Sequence, residues 1–233
     1  MDPVISFRSA VALVGRFPVL AGIDLQVAPG ESVLLQGPNG AGKTSLLRAC
    51  AGLLRVAAGQ AVVLGEDLVA NQRAVRRRVG LSGHATALYD DLSAVDNVRF
   101  AVRASKGTLR AVEPAMQRLG LSGRLCDTAV SALSAGQRKR VALSILVARD
   151  PELWLLDEPH AGLDAEHRDL LDGLITDAAG RGRTVLMASH EAERVSGLTD
   201  RVVTMAGGVV VPPAPSLTDS LPKIKPGARA HVA

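Results

Sequence analysis

Aromatic residues are scarce: Phe, Tyr and Trp together make up 2% of the 233 residues. A core must therefore be built from Leu, Val, Ala and Ile. There are also too few rings to stack successive bases, which argues against nucleic acid as a partner. Cysteine is nearly absent. Cys50 and Cys126 offer neither a disulfide framework nor a metal-ligand spacing. They read as small buried hydrophobes in helix-like surroundings, and a reducing cytoplasm suits them. Long apolar runs are missing too. The stretch 10–28 is rather apolar, but Arg16 and Asp24 interrupt it and Gly and Pro break it. No segment reads as a bilayer span, and the opening MDPVISFRSA lacks the charged-then-apolar pattern of a secretory leader. A membrane role is expected to come through a partner.

What is present suits a globular chain. Hydrophobic residues make up 47%, enough for a real core and too many for general disorder. The length fits one large domain, or one domain with a sub-domain inserted. The net charge of +4 is small and spread out. Its densest cluster, Arg73, Arg76, Arg77 and Arg78, reads as a solvated helix face rather than a phosphate-backbone patch.

Short β-type runs punctuate the sequence at 32–36, 62–64, 79–82, 153–157, 184–189 and 201–205. Continuous apolar runs such as VLL, LWLL and TVLMAS are what a parallel sheet covered on both faces requires. Helical patterns follow at 43–52, 165–179 and 191–196, so strand and helix alternate as in an α/β fold with a mainly parallel sheet. From about 85 to 149 strand signals fade. Ser93 with Asp96 three residues on starts one helix to Ala104. Further helices are expected over 109–119 and 136–148, making a helical insert. Five of the 12 prolines fall in 212–226, and 212–233 reads as a flexible tail.

Three motifs carry chemistry. Gly37-Pro38-Asn39-Gly40-Ala41-Gly42-Lys43-Thr44 fits G-x-x-x-x-G-K-[ST], follows a strand and opens a helix. Its glycines let backbone N–H groups converge on phosphate oxygens, and the helix dipole adds to them. Lys43 supplies a point charge, Thr44 a hydroxyl for Mg²⁺, and Ser45 continues the loop. ATP and Mg²⁺ are the expected cofactors. In the second motif, Leu153 to Leu156 deliver Asp157 and Glu158 to the C-terminal edge of a strand. There Asp157 would hold Mg²⁺ and Glu158 would polarise a water. In the third, Ser134 of Leu133-Ser134-Ala135-Gly136-Gln137 has helix N-cap chemistry. Trp154 is expected in the core, and His160 and His167 at the surface.

The order of these motifs, closed by a strand ending at His190, resembles the ABC transporter ATPase family over about 4–211. The resemblance implies the ABC-type P-loop fold: a mainly parallel sheet, a small antiparallel part and a helical sub-domain at about 85–149. It makes LSAGQ the family signature, with Ala135 where Gly is commonest. It likens 161–164, ending in Asp164, to the D-loop, and His190 to the switch histidine that meets the γ-phosphate. It further implies an ATPase peripheral to the cytoplasmic face of the membrane, an integral membrane permease as partner, and two copies of the chain packed head to tail. Each nucleotide would then lie between one P-loop and the Ser134–Gln137 turn of the other copy.

Two positions depart from the family pattern. His84 stands where a Gln usually serves Mg²⁺ and the membrane subunit. Val14 stands where an aromatic usually stacks on adenine, with Phe17 close by. Within the family, YDDLSAVDNVRF, His84, LSAGQRKRVAL and WLLDEPHAGLD resemble the cytochrome c maturation ATPase, the ATP-binding subunit of a haem exporter. ATPases of drug or other small-molecule exporters share much of this pattern. Soluble ABC ATPases acting on ribosomes or nucleic acid differ, because they usually carry two cassettes or a coiled-coil insert.

Overall fold

The structure, a computed structural model, describes residues 2–83 and 86–212. Two long strands, β1 (Ile5–Val14) and β2 (Phe17–Val27), open the chain. Then come β3 (Ser32–Gln36), α1 (Lys43–Cys50), β4 (Val56–Val63), β5 (Glu66–Asp67), α2 (Leu68–Asn71) and β6 (Val79–Ser82). Four helices fill the middle: α3 (Ala94–Ala104), α4 (Val112–Arg118), α5 (Arg124–Asp127) and α6 (Ala135–Arg149). The last third runs β7 (Leu153–Asp157), α7 (Ala165–Gly180), β8 (Thr184–Ala188), α8 (Ala192–Val195), β9 (Arg201–Ala206) and β10 (Val209–Val211).

The strands form two sheets. One is antiparallel, in the order β2-β1-β4-β5. The other has the order β10-β9-β3-β8-β7-β6, with β9 to β6 parallel and β10 returning antiparallel at the edge. Alternate side chains of the parallel strands enter two different cores, as strands covered on both faces should. Val33, Leu35, Leu155, Leu186 and Ala188 join the core shared with β1, β2, β4 and α1. Leu34, Trp154, Leu156, Val185 and Met187 join a second core capped by α6 and α7. Helix α1 touches strands of both sheets, so the loop preceding it is held between them.

The middle forms its own core from Val98 and Val102 of α3, Val112 and Met116 of α4, and Val141 and Ala148 of α6. Helix α6 belongs to two bodies at once, because its Leu143 and Leu146 pack under the parallel sheet. Ser93 caps α3, accepting from the Asp96 N–H at 3.2 Å.

Several expectations need correction. His160 is not at the surface: it is 1% exposed and its Nε2 lies 2.7 Å from Asp172 Oδ1. His167 is half-buried, bonded to Asp164. Trp154 is in the core, as expected. Cys50 is fully buried, and burial pushes its thiol far above the usual range. Cys126, in contrast, is half-buried and bonds the Leu121 carbonyl. The arginine cluster is partly structural: Arg76 donates to the Gly52 carbonyl and Arg78 to Leu64 and Glu152. The strand expected at 62–64 begins at Val56. The helix expected over 109–119 starts as a 3-10 turn before α4. Residues 213–233 of the Pro-rich tail lie outside the described residues.

Candidate active site

Strand β3 ends at Gln36, and residues 37–42 turn the chain into α1. The glycines Gly37, Gly40 and Gly42 have φ of 142°, 80° and 100°. Two of them are also pinned from behind. A Cβ at Gly37 would lie 2.1 Å from the Met205 carbonyl oxygen, and one at Gly42 2.7 Å from that of Val19. At Gly40 a Cβ would meet nothing within 4 Å. The loop is thus wedged against β9 and β2 and open in front, leaving room for a group as large as a phosphate chain. Lys43 is buried, and its Nζ donates to the carbonyls of Gly37 at 2.7 Å and Pro38 at 3.1 Å. Such donors can exchange weak carbonyl partners for phosphate oxygens of opposite charge.

The second wall comes from the ends of β7 and β8. Asp157 and Glu158 are half-buried where β7 stops. Glu158 has φ 48°, the left-handed region that a non-glycine residue seldom adopts. Its N–H donates to the Ala188 carbonyl at 2.9 Å, which ties the turn to β8. Its Oε2 accepts the His190 N–H at 3.2 Å, and its Oε1 lies 3.4 Å from His190 Nε2. A cleft of about 700 Å³ joins these groups: Asn39 to Ser45, Asp157, Glu158 and His190 all line it.

Four further residues line the same cleft: Pro18, Val19, Gly207 and Gly208. The turn Gly207–Gly208 joins β9 to β10. Gly208 N–H donates to the Ala41 carbonyl at 3.0 Å, and its own carbonyl accepts from Ala21 N–H at 3.0 Å. The turn therefore clips the loop to β2. Its signal in the sequence was only a glycine pair after an apolar run. Val14 and Phe17, the residues near the usual adenine position, are exposed at the turn end of the β1–β2 hairpin and do not line the cleft.

Other expected site residues lie elsewhere. Ser134 caps α6 in a reciprocal box: Gln137 N–H donates to Ser134 Oγ at 3.2 Å, and Ser134 N–H to Gln137 Oε1 at 2.9 Å. Ser134 and Ala135 are exposed, so the first-turn N–H groups of this helix face away from the core. Neither they nor Gly136 and Gln137 reach the cleft. Gly136 instead lies beside the D-loop: a Cβ there would be 3.4 Å from the Gly162 carbonyl oxygen. Asp164 caps α7. The His167 backbone N–H, then its ring, hold the Asp164 carboxyl below its usual range. His84 lies outside the described residues.

Sequence reasoning overlooked Lys139. It is buried on α6, and its Nζ donates to the Gly83 carbonyl at 3.3 Å. Burial lowers its pKa, while the charges of Asp157 and Glu158 oppose that shift.

The residues fit a nucleotide and a divalent cation in different degrees. The open-faced loop with a buried lysine at its base suits a phosphate chain. No group of three or more His, Cys, Asp or Glu side chains that could hold a metal occurs among the described residues. Thr44 and Asp157 could supply hydroxyl and carboxylate oxygens only, so a Mg²⁺ here would take the rest of its shell from phosphates and water.

Comparisons with known proteins agree with this geometry. The sequence pattern of the family described as "ABC transporter" matches residues 20–161. The chain is 36% identical over 208 residues to the cytochrome c biogenesis ATP-binding export protein CcmA 2 of Cupriavidus metallidurans, covering 88% of this chain and 98% of that protein. It is 38% identical over 215 residues to the sulfate/thiosulfate import ATP-binding protein CysA of Caulobacter vibrioides, covering 88% of this chain and 62% of that protein. In fold it is similar to a dimeric ATP-binding cassette in a post-hydrolysis state bound to ADP and Pi, with a TM-score of 0.80 at 22% identity, covering 88% and 96% of the two chains. The chain belongs to the ABC transporter family, as an ATPase subunit.

Proposed function

We propose that this ATPase powers export through a separate membrane subunit, and that the exported cargo is haem for cytochrome c biogenesis. The observation that carries the cargo is the likeness to cytochrome c biogenesis export proteins, which runs over 98% of the length of the Cupriavidus metallidurans relative. A second such relative, from Cupriavidus pinatubonensis, is 35% identical over 216 residues. The sulfate/thiosulfate import relative supports a second reading, uptake of a small anion. No described helix is long and apolar enough to cross a membrane, which supports a partner that supplies the translocation path. The domain reading behind this proposal is one ATPase domain over 1–211 with its helical part at about 85–149.

In this reading Lys43 moves its donors from the Gly37 and Pro38 carbonyls to the terminal phosphates. Thr44 and Asp157 hold Mg²⁺, which supplies charge neutralisation on the phosphates when bound. Glu158 orients and polarises a water, and His190 presents its ring to the same region. The exposed Ser134–Gln137 turn completes the site of a second, identical copy, with Asp164 beside it. Its first-turn N–H groups and helix dipole favour an anion. Loss of the terminal phosphate removes that attraction and lets the copies part, a two-state element biased by one group.

Isolation of the chain with its membrane partner tests the cargo. ATP turnover by that complex in lipid should rise with added haem and stay flat with sulfate or thiosulfate. A response to the anions and not to haem would replace export of haem by the second reading. Copurification with ribosomes or nucleic acid in place of a membrane protein would overturn both.

A further inference from the structure

Two residues beyond Glu158, the chain buries His160, 1% exposed. Burying an imidazole costs free energy unless its polar atoms are bonded. The bond it makes is short: Nε2 lies 2.7 Å from Asp172 Oδ1 on α7. The other carboxylate oxygen, Oδ2, accepts from Arg194 at 2.6 Å. Arg194 sits on α8, four residues past His190, and also pairs with Asp169. A carboxylate accepts only, so Nε2 carries the proton. His160 Nδ1 has no partner among the described residues. The ring therefore serves one direction, toward Asp172.

A second tie runs beside the first. Arg168, one helical turn before Asp172 on α7, donates to the Leu163 carbonyl at 3.0 Å and to Glu191 Oε2 at 3.2 Å. Leu163 lies in the segment after Glu158, and Glu191 adjoins His190. Both ties lead from the strand end that carries Glu158, through one face of α7, to the segment that carries His190. Between those ends lies the Glu158–His190 contact itself.

We infer that His160 is a positioning residue for ATP hydrolysis: its bond to Asp172, extended by Arg194, holds the Glu158 turn and the His190 segment in register. The inference rests on the reading of Glu158 as the group that polarises water. It predicts a loss in turnover and not in nucleotide affinity, because the Lys43 ammonium bonds the Gly37 and Pro38 carbonyls and, among the described residues, no hydrogen bond or ion pair joins it to the relay. A misplacement of about 1 Å in such a site can slow chemistry by about a hundredfold.

The test uses the full chain and compares His160→Leu, which keeps bulk without a donor, with His160→Gln, whose amide can still donate to Asp172. His160→Leu should lower kcat about tenfold with KM for ATP within about twofold, and His160→Gln should recover most of the rate. Arg194→Ala, at a more accessible position, should lower kcat severalfold. Combined with His160→Leu it should add little, because both break one relay. Wild-type kcat in His160→Leu, a change confined to KM, or equal loss in His160→Gln and His160→Leu would each overturn the inference. If His160→Leu does not fold, Arg194→Ala decides: an unchanged kcat overturns the inference. Glu158→Gln run in parallel separates the two readings. Turnover in Glu158→Gln at the wild-type rate would fail the water-polarising role, whereas loss of turnover in Glu158→Gln beside an unaffected His160→Leu fails the relay alone.

Discussion

Glu158 holds His190 at two points, accepting its backbone N–H at 3.2 Å and lying 3.4 Å from its ring Nε2. The carboxylate is steered there by a left-handed backbone at φ 48° and by the bond from its N–H to Ala188. In Glu158→Gln this geometry survives, since the amide oxygen can still accept from the His190 N–H, but the basic group is gone. Turnover should fall by at least about a hundredfold, the scale of a lost general base. ATP should still bind, and with ATP the variant should elute as a dimer in size-exclusion chromatography. Hydrolysis near the wild-type rate would remove Glu158 from its proposed role.

Lys43 is buried at the base of the loop, bonded to two carbonyls. Lys43→Ala removes the cation that would meet the terminal phosphates, while the glycines that shape the loop remain. ATP affinity measured by calorimetry should drop by about tenfold or more, since a charge-assisted bond is worth roughly 1.5–3 kcal/mol. Undiminished affinity together with undiminished ATPase activity would exclude Lys43 from the site.

The parallel sheet and the loop at 37–44 were legible because their causes are local. Apolar strands such as Leu153–Asp157, glycines and a following helix all stand within a few residues of one another. The opening hairpin was not legible as two strands. In β1 the pairing register shifts between Phe7 and Ala10, Ser9 takes φ 46°, and its N–H donates to the side chain of Asp24 on β2 rather than to a backbone carbonyl. That bulge breaks the alternation of buried and exposed residues on which a strand reading depends. His160 was missed for another reason. Its partner Asp172 lies two turns into α7, and no spacing rule predicts that a histidine after a strand end folds inward to meet it. The Gly207–Gly208 turn reaches the cleft through pairing of β9 with β3, a contact across more than 160 residues.

Gly208 offers a direct probe of that turn. Its φ is 81°, and an added Cβ would lie 3.0 Å from the Val19 carbonyl oxygen and 3.1 Å from Ala21 N. Gly208→Ala must push β2 from the loop or give up the bond to Ala41. A cost of about 1–3 kcal/mol is the usual scale for such strain. ATP affinity should fall together with the thermal midpoint. At Gly207 a Cβ meets nothing within 4 Å, so Gly207→Ala bears only the cost of its positive φ and should be the milder change. Equal effects of the two substitutions would mean that the clip does not position the loop.

The pairing of β6 with β7, which sets the edge where Asp157 and Glu158 emerge, is fastened at its start by Arg78 and Glu152. Arg78 Nε and Nη2 donate to the two carboxylate oxygens of Glu152 at 2.6 and 2.9 Å. The hydrogen bond from Arg78, helped by its charge and that of Arg183 and opposed by burial, holds the Glu152 carboxyl below the usual range. The unfolded chain then binds a proton at a pH where the folded one does not. The pair's stabilisation is complete above the ordinary carboxylate pKa and is lost as pH falls through the lowered folded value. Both side chains are over a third exposed, at 39% and 46%, so solvent screening keeps the contribution at or below about 1 kcal/mol. Urea unfolding should therefore place Glu152→Gln below wild type at neutral pH, with the gap narrowing as pH falls below about 4. A gap that stays constant across that window would mean that Glu152 contributes by shape and not by charge.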